Sequence, residues 1–332
     1  MADYTPDTSR YERMQYRRAG NSGIMLPEIS LGLWHNFGDA DDLRLCTRII
    51  TTAFDNGITH FDLANNYGPE PGAAERNFGR ILRDNLRSRR DELLISTKAG
   101  YYMWEGPYGD FGSRKYLMAS IDQSLKRMGL EYVDIFYSHR YDPETPLEET
   151  MGALSDIVRQ GKALYVGLSN YRGQVLERAL DILAENGTPC LLEQSRYSML
   201  VRGVEEDTLP VLERAGVGMI AFSPLAQGLL TDRYIGGIPD DSRIAKGVGF
   251  LRREHLTEPV MRKVSELNEV AARRGQTLAE MALAWLLRDG RVTSVLVGAS
   301  SPEQLIDNIK ATESAGFDVT ETEEIEAILA DE

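Results

Sequence analysis

Four residues of types that exchange protons follow three apolar segments of the chain. Asp62 and Tyr67 lie in THFDLANNYG, Lys98 follows LLIST, and His139 follows VDIFYS. A neighbouring ammonium lowers the pKa of a phenol, and a carboxylate would hold that ammonium in place. Such a phenol could protonate a carbonyl oxygen while the histidine orients the same oxygen. Together the four residues predict carbonyl reduction, with Tyr67 as the proton donor.

Taken one at a time, these residues have plainer explanations. A lone Asp62 is more often a helix cap, Tyr67 a packing residue and His139 a half-buried histidine. Lys98 is more informative because a lysine at the end of a buried strand is unusual. In a β/α barrel the ends of all strands converge on one face. The prediction of a shared site therefore depends on the fold.

The order of apolar segments and helical patterns predicts that fold. Gly-Asn-Ser-Gly between two short apolar segments in residues 14–32 indicates a hairpin. Strand-like segments then begin at Ile29, Ile58, Leu93, Val133, Ala163, Cys190, Val217 and Thr293. Nearly continuous apolar strands, separated by helical patterns, favour a parallel sheet covered by helices. We expect an α/β protein, a closed (β/α)8 TIM barrel whose amino-terminal end the hairpin plugs.

The predicted domain is a single unit of residues 13–332, preceded by a disordered tail over residues 1–12. A long interval separates the seventh strand, which ends near Ser223, from the eighth, which begins near Thr293. The first part of this interval is glycine-rich, and it predicts a functional loop over the barrel mouth. The usual dinucleotide fingerprint, G-x-G-x-x-G after the first strand, does not occur.

Composition excludes several classes of partner. The chain of 332 residues has 37 basic and 51 acidic residues and a net charge of -14, which argues against nucleic acid or an anionic membrane as a partner. It contains neither a signal peptide nor an apolar run long enough to span a bilayer. Cys46 and Cys190 form neither a disulfide framework nor a metal-ligand spacing. We expect a cytoplasmic protein without a metal, and a homo-oligomer is left open.

Seven motifs resemble, in order, those of the aldo-keto reductase superfamily: THFDLANNYG, STKAG, FYSHR, GLSNY, EQSRYS, FSPLAQG and VGASSPEQLIDN. The resemblance covers about residues 16–328. It is closest to the branch that holds bacterial L-glyceraldehyde 3-phosphate reductases and the β-subunits of voltage-gated potassium channels. The resemblance implies that Asp62, Tyr67, Lys98 and His139 form the catalytic tetrad. It also implies that NADPH binds extended across the barrel mouth without a Rossmann fold.

The resemblance also implies which residues bind the cofactor. Ser169, Asn170 and Gln194 match the residues that hold the nicotinamide amide, and Phe222 matches the ring that stacks on it. The remaining matches are Trp34 at the mouth, Ser223, Pro224, Leu225, Gln227 and Gly228 around the pyrophosphate, Arg233 and Arg243 in the closing segment, and Gly298, Ser300, Gln304, Asp307 and Asn308 at the adenosine end. A strand, a Gly/Ser-rich loop and a new helix surround Ser300, and such a helix start suits a 2′-phosphate.

The four residues predict a small carbonyl compound as the substrate. The resemblance implies short polar or phosphorylated aldehydes such as L-glyceraldehyde 3-phosphate or methylglyoxal. Trp34, Tyr67, Trp104, His139 and Arg140 are the predicted substrate contacts. Arg140 is the nearest candidate for a phosphate partner, and a salt bridge to Asp142 or Glu144 is an equally favoured role. His60 is expected to point away from Asp62.

Three other functions remain open from the sequence. The first is an NADP(H)-binding regulatory subunit of the channel β-subunit type with slow turnover. The second is a Schiff-base aldolase that uses Lys98, although Tyr67 with Asp62 argues against it. The third is a flavoprotein or a phosphate-binding barrel isomerase.

Overall fold

The structure is a computed structural model that describes residues 4–240, 244, 245, 247 and 251–330. An antiparallel hairpin precedes eight parallel strands that form a closed barrel. The hairpin is β1 (Tyr16–Arg18) with β2 (Met25–Pro27), and the barrel strands are β3 (Ile29–Gly32), β4 (His60–Asp62), β5 (Leu94–Ala99), β6 (Val133–Ser138), β7 (Ala163–Ser169), β8 (Cys190–Arg196), β9 (Gly218–Phe222) and β10 (Ser294–Val297). Around the barrel the strands follow the order β10-β3-β4-β5-β6-β7-β8-β9. The predicted (β/α)8 barrel is confirmed.

Helices surround the barrel. They are α1 (Leu43–Asp55), α2 (Ala73–Ile81), α3 (Arg114–Met128), α4 (Leu147–Arg159), α5 (Gly173–Glu185), α6 (Val204–Asp207), α7 (Leu209–Ala215), α8 (Glu258–Arg273), α9 (Leu278–Leu287), α10 (Pro302–Ile309) and α11 (Val319–Ala330). Shorter 3-10 or π segments are Leu82–Leu86, Arg87–Glu92, Ala226–Gly228, Asp232–Tyr234, Arg253–His255 and Lys310–Glu313. Among the helices described, none has the length and apolar character needed to cross a bilayer.

Local sequence determines where these helices begin and end. The Ser113 hydroxyl accepts a hydrogen bond from the Tyr116 N–H and caps α3, which ends at Gly129 with a left-handed φ of 68°. The start of α9 is a capping box, in which Thr277 and Glu280 each accept the other's backbone N–H. These caps satisfy N–H groups that would otherwise lack partners at the helix ends.

The hairpin closes the amino-terminal end of the barrel, as expected. Ala19 and Leu26 are buried and belong to the same apolar cluster as Ile135, Leu192 and Ile220 of the barrel strands. Near the other end, Gly167 of β7 leaves the space that a neighbouring aromatic ring fills. A Cβ atom at Gly167 would lie 2.3 Å from ring carbons of Tyr137. The barrel is therefore a packed core whose open face is the carboxyl end of the strands.

The amino-terminal segment differs from the disordered tail expected over residues 1–12. Residues 1–3 lie outside the described part of the chain. From residue 4 onward the segment is held against the barrel, because the Tyr4 hydroxyl donates to Asp55 Oδ1 at 2.7 Å and Arg10 pairs with Glu92. These anchors lie far away in the sequence, so the polar composition of the segment gave no sign of them.

Candidate active site

The four proton-exchanging residues come together at the carboxyl end of the barrel. Asp62 ends β4, Lys98 is the penultimate residue of β5, and His139 directly follows β6. Tyr67 lies in the loop after β4, and its ring is 5.9 Å from that of His139 in an edge-on arrangement. Parallel pairing of β4, β5 and β6 places these strand ends side by side. The barrel thus joins residues that are scattered in the sequence.

A buried ion pair forms the base of this site. The side chains of Lys98 and Asp62 are both fully buried, and Lys98 Nζ donates to Asp62 Oδ2. The same ammonium donates to the Leu63 carbonyl at 2.7 Å and to the Tyr67 hydroxyl at 3.4 Å. A buried pair persists when its remaining polar atoms are also bonded. The other oxygen of Asp62 meets this need, because Ser96 Oγ donates to it at 2.7 Å and Gln194 Nε2 at 3.2 Å.

The expected acidic phenol is not found. Burial raises the pKa of Tyr67 well above its usual 10.0, and the charges of Asp62 and Tyr101 act in the same direction. Our prediction of a lowered pKa for Tyr67 is therefore wrong in direction. The ammonium is at the outer limit of a hydrogen bond to Tyr67 and in direct contact with Asp62, so the carboxylate offsets its charge. The phenol keeps its proton at neutral pH.

His139 is a neutral, buried imidazole. Burial lowers its pKa well below the usual 6.5, and the positive charges of Lys98 and Arg140 add to this effect. Its Nδ1 atom is buried and has no hydrogen-bond partner among the described residues. The ring of Tyr101 packs edge-on against it at 4.7 Å. A neutral imidazole has one N–H group to donate, so it can orient an oxygen without adding charge.

The residues predicted to hold the nicotinamide lie beside the tetrad. Asn170 Nδ2 donates to the His139 carbonyl at 3.1 Å, and Ser169 Oγ donates to the Gln194 carbonyl at 2.9 Å. Asn170 has a left-handed φ of 60°, a conformation that asparagine adopts more readily than most residues. Gln194 connects this group to the ion pair through its bond to Asp62. These side chains form one continuous polar surface with the tetrad.

The loop after β9 holds its backbone in an unusual conformation. Three of its residues other than glycine have left-handed φ angles, namely Ser223 at 52°, Ala226 at 46° and Gln227 at 61°. Strained backbone of this kind is concentrated at ligand clamps and active sites. Arg233 lies further along on an exposed 3-10 turn. Arg243, the other basic position predicted for the closing segment, lies outside the described residues.

The start of α10 suits the anionic end of a dinucleotide. Ser301 caps the helix by accepting a hydrogen bond from Gln304 N, and Gln304 Oε1 accepts from the N–H and hydroxyl of Ser300. Asp307 pairs with Lys310 on the exposed side of the helix. Asn308 Nδ2 is buried without a hydrogen-bond partner in the described structure. A buried donor of this kind requires an acceptor, so the residues present fit a bound adenine nucleotide.

Gly298, which precedes this helix, is exposed, and a Cβ added to it would meet only the Gly32 carbonyl oxygen, at 4.0 Å. The space beside the backbone is therefore open. Backbone can approach a ligand closely where a side chain is lacking.

The predicted substrate residues differ in their positions. Trp34 is 37% exposed, and its ring stacks over Tyr67 with the centroids 6.2 Å apart. Trp104 packs instead against Tyr116, 5.1 Å between centroids. Trp34 therefore lies at the mouth, whereas Trp104 contributes to the packing of the loop after β5.

Arg140 is paired, but with neither of the partners that we considered. Its Nη2 donates to Asp110 Oδ1 at 2.7 Å, and its Nε donates to the Gly100 carbonyl at 2.6 Å. The guanidinium carbon lies 4.3 Å from the ring centroids of both Tyr101 and Phe111. Since Tyr101 in turn contacts His139, Arg140 holds the loop after β5 against the site.

Comparison with known proteins assigns the family. The model of the aldo/keto reductase family matches residues 28–330, most of the chain. This chain belongs to the aldo/keto reductase family. It is 56% identical to the L-glyceraldehyde 3-phosphate reductase of Escherichia coli O157:H7, over 97% of this chain and 94% of that protein. It is 37% identical to a probable voltage-gated potassium channel subunit beta of Arabidopsis thaliana, over 90% of this chain and 92% of that one.

A solved structure supports the assignment. An aldo-keto reductase from Bacillus halodurans in its holo form aligns with a TM-score of 0.77 and 26% identity, covering 95% of this chain and 96% of that chain. This protein is therefore an aldo-keto reductase, an NAD(P)-dependent oxidoreductase that acts on small carbonyl substrates.

The buried His60 had no role in the site predicted from the sequence, and the predicted direction of its side chain was wrong. His60 was expected to point away from Asp62, but its Nε2 lies 2.9 Å from Ser96 Oγ, the group that donates to Asp62. Residues two apart on a strand share a face, so the prediction was wrong. The i, i+2 spacing of His60 with Asp62, repeated by Ser96 with Lys98 on the next strand, was the signal that could have found it.

Proposed function

We propose that this aldo-keto reductase uses NADPH to reduce short polar or phosphorylated aldehydes, with L-glyceraldehyde 3-phosphate as the first candidate and methylglyoxal as a further one. The observation that carries the proposal is the 56% identity, over nearly the whole chain, to a protein named L-glyceraldehyde 3-phosphate reductase. The geometry of the tetrad supports the chemistry, because it places a protonated phenol beside a neutral imidazole and a buried ammonium.

In this proposal, Tyr67 gives its proton to the carbonyl oxygen. The raised pKa ensures that the proton is present, and the Lys98 ammonium near the hydroxyl stabilises the phenolate that forms. His139 donates a hydrogen bond to the same oxygen and fixes its orientation. Asp62 holds Lys98 in place, and the phenolate regains a proton from solvent before the next turnover.

The dinucleotide is assigned to the polar surface described above. Ser169, Asn170 and Gln194 would hold its nicotinamide, the loop from Ser223 to Gly228 its pyrophosphate, and the start of α10 its adenosine. When bound, the reduced cofactor supplies the hydride that the carbonyl carbon receives. We assign NADPH rather than NADH because the exposed Ser300 and the capped start of α10 suit a 2′-phosphate.

We assign the phosphate of the substrate to Arg140. Its Nε and Nη2 are already bonded, which leaves the Nη1 edge of the guanidinium to act as a further donor. The two aromatic rings that enclose the guanidinium hold it in place. A fixed guanidinium loses little conformational freedom when it binds an anion.

A panel of aldehydes tests the chemistry. Both enantiomers of glyceraldehyde 3-phosphate, methylglyoxal and glyceraldehyde are assayed with NADPH and with NADH. Tyr67→Phe is expected to lower kcat by at least about a hundredfold with unchanged NADPH affinity, because it removes only the hydroxyl that gives the transferred proton. Tyr132→Phe, at a half-buried tyrosine directly before the start of β6, is the matched control. Near-normal rates in Tyr67→Phe would refute the proton-donor role.

A second variant tests the phosphate assignment. Arg140→Met should raise the KM for glyceraldehyde 3-phosphate by about tenfold to a hundredfold and leave the KM for unphosphorylated glyceraldehyde within about twofold, since only the former has the dianion. Arg178→Met, on an exposed helix face, is the control. Equal effects on both substrates would mean that Arg140 only supports the loop.

The second candidate function is that of an NADP(H)-binding regulatory subunit. It is favoured by the relatives in Arabidopsis thaliana and in Oryza sativa subsp. japonica, at 37% and 35% identity, that are named probable voltage-gated potassium channel subunits beta. Single-turnover measurements separate the two. The regulatory function would be supported if the cofactor stays bound through purification and if steady-state turnover is far slower than oxidation of the bound NADPH in a single cycle.

A further inference from the structure

A chain of buried hydrogen bonds crosses the barrel interior beneath the ion pair. Ser96 Oγ donates to Asp62 Oδ1 at 2.7 Å, and His60 Nε2 lies 2.9 Å from that Ser96 oxygen. On the other side of the imidazole, His60 Nδ1 lies 2.9 Å from Ser30 Oγ, which is 2.6 Å from Ser294 Oγ. All five side chains are fully buried. They come from β4, β5, β3 and β10, so the chain spans half of the closed sheet.

The negative charge of Asp62, at one end of this chain, sets the direction of every hydrogen bond in it. An ionised carboxylate only accepts, so the Ser96 hydroxyl must use its single hydrogen on Asp62. The Ser96 oxygen then has to accept from the imidazole, which places the proton of His60 on Nε2. Burial lowers the pKa of His60 to about 4, and Lys98 opposes its protonation while Asp62 favours it, so the ring is neutral at neutral pH.

The hydrogen bonds at the Ser294 end of the chain have the same direction. In a neutral imidazole with a proton on Nε2, Nδ1 is an acceptor, so Ser30 donates to it. Ser30 then accepts from Ser294. We propose that the Asp62 carboxylate aligns this whole chain, and that His60 and Ser96 are positioning residues for the ion pair. The chain occupies Asp62 Oδ1 with an aligned set of dipoles and leaves Oδ2 to Lys98.

The consequence for the reaction rests on the proposed function. Lys98 can serve Tyr67 only while Asp62 holds it at the present position, 3.4 Å from the hydroxyl. Hydrogen bonds in a chain polarise one another in a low-dielectric interior, so each member strengthens the bond that Asp62 receives. Loss of a member should therefore slow the chemical step and leave cofactor binding unchanged.

The tautomer of His60 tests the alignment directly. The protein contains four histidines, so the ring nitrogens are resolved by two-dimensional NMR of the full chain labelled with 15N-histidine, and a His60→Gln variant assigns the signal. We expect a neutral ring with the proton on Nε2. We also expect Asp62→Asn to move the proton towards Nδ1, because an amide can donate to Ser96 and reverse the chain. A proton on Nδ1 in the wild type, or an unchanged tautomer in Asp62→Asn, would overturn the proposal.

Kinetics test the positioning role. Ser96→Ala should lower kcat about tenfold with unchanged NADPH affinity, because it removes a hydrogen bond to a charged group. Ser96→Thr, which restores a hydroxyl, should recover most of that loss. Ser155→Ala is the control, since Ser155 is also fully buried and bonds to Met151 O and Thr188 far from the site.

An unchanged kcat in Ser96→Ala, or a loss of kcat that Ser96→Thr does not recover, would refute the positioning role of Ser96 in catalysis. If the wild type reduces no aldehyde at all, the proposed function fails, whereas the tautomer measurement still decides whether the chain is aligned.

Discussion

Glu193 makes the stability of this protein depend on pH in an unusual direction. This residue of β8 is fully buried, Ser195 Oγ donates to its Oε1 at 2.9 Å, and its Oε2 has no partner among the residues described. Burial raises its pKa from the usual 4.5 to about 8, although Ser195 and the backbone N–H groups of Tyr171 and Asn170 favour the ionised form. The neutral acid is therefore the form that the fold accommodates.

The direction of the effect follows from this raised pKa. Between about pH 4.5 and about pH 8 the unfolded chain releases the proton of Glu193 and the folded chain retains it. The folded state then binds more protons at this residue, so the contribution of Glu193 to stability is fully present below pH 4.5 and falls as the pH rises. The free energy of unfolding falls by about 1.4 kcal/mol for each pH unit between the two pKa values, which lie about 3.5 units apart. The total loss therefore approaches about 5 kcal/mol above pH 8.

Glu193→Gln removes the ionisation and keeps the shape of the side chain. We expect urea unfolding to show similar stability for the variant and the wild type near pH 4.5, and a growing advantage of the variant up to about pH 8. Glu131→Gln, at an exposed position, is the control for the loss of one negative charge. Parallel stability curves for Glu193→Gln and the wild type across this range would refute the reasoning.

Three further predictions concern packing, charge and capping. Lys98→Met should destabilise the fold by about 3–5 kcal/mol in urea unfolding, because it leaves Asp62 buried without its counter-ion, and a second change, Asp62→Leu, should recover most of this loss; a loss below about 1 kcal/mol would contradict it. Gly167→Ala should cost about 1–3 kcal/mol, measured as a lower Tm, because the new Cβ would lie 2.3 Å from the Tyr137 ring; an unchanged Tm would disprove the clash. Ser301→Ala should cost about 1 kcal/mol and weaken dinucleotide binding, measured by fluorescence titration, because the start of α10 loses its cap; unaltered binding would separate the cap from the cofactor site.

The fold was predictable because its signals are local and repeated. All eight barrel strands begin within two residues of the expected positions, since each is a short apolar run that ends in a polar turn. Helix ends at Gly129 and Gly216 follow from their left-handed φ angles of 68° and 66°, which glycine adopts without strain. Convergence of the tetrad then followed from the barrel itself, because the carboxyl ends of all its strands meet.

Other features depend on distances that the sequence does not contain. The partner of Arg140 is Asp110, thirty residues away, which only the folded loop after β5 brings near. The tail was likewise expected to be free because its anchors, Asp55 and Glu92, belong to other elements. The pKa of Tyr67 depends on burial and on the charges of Asp62 and Tyr101 near it, so residue types alone gave the wrong direction. Such quantities follow from packing, which periodicity does not determine.

The raised pKa of Tyr67 bears on the protonation state from which this reductase starts each cycle. In the proposed mechanism reduction consumes the phenol proton, and burial keeps that proton in place at neutral pH. Oxidation of an alcohol would instead need the phenolate as a base, a form that burial disfavours. The Lys98 ammonium contributes once the proton has begun to leave, because negative charge then appears on an oxygen 3.4 Å away. The site therefore holds its acid ready in the resting state, as reduction at neutral pH requires, and Lys98 stabilises the anion that forms when the proton leaves.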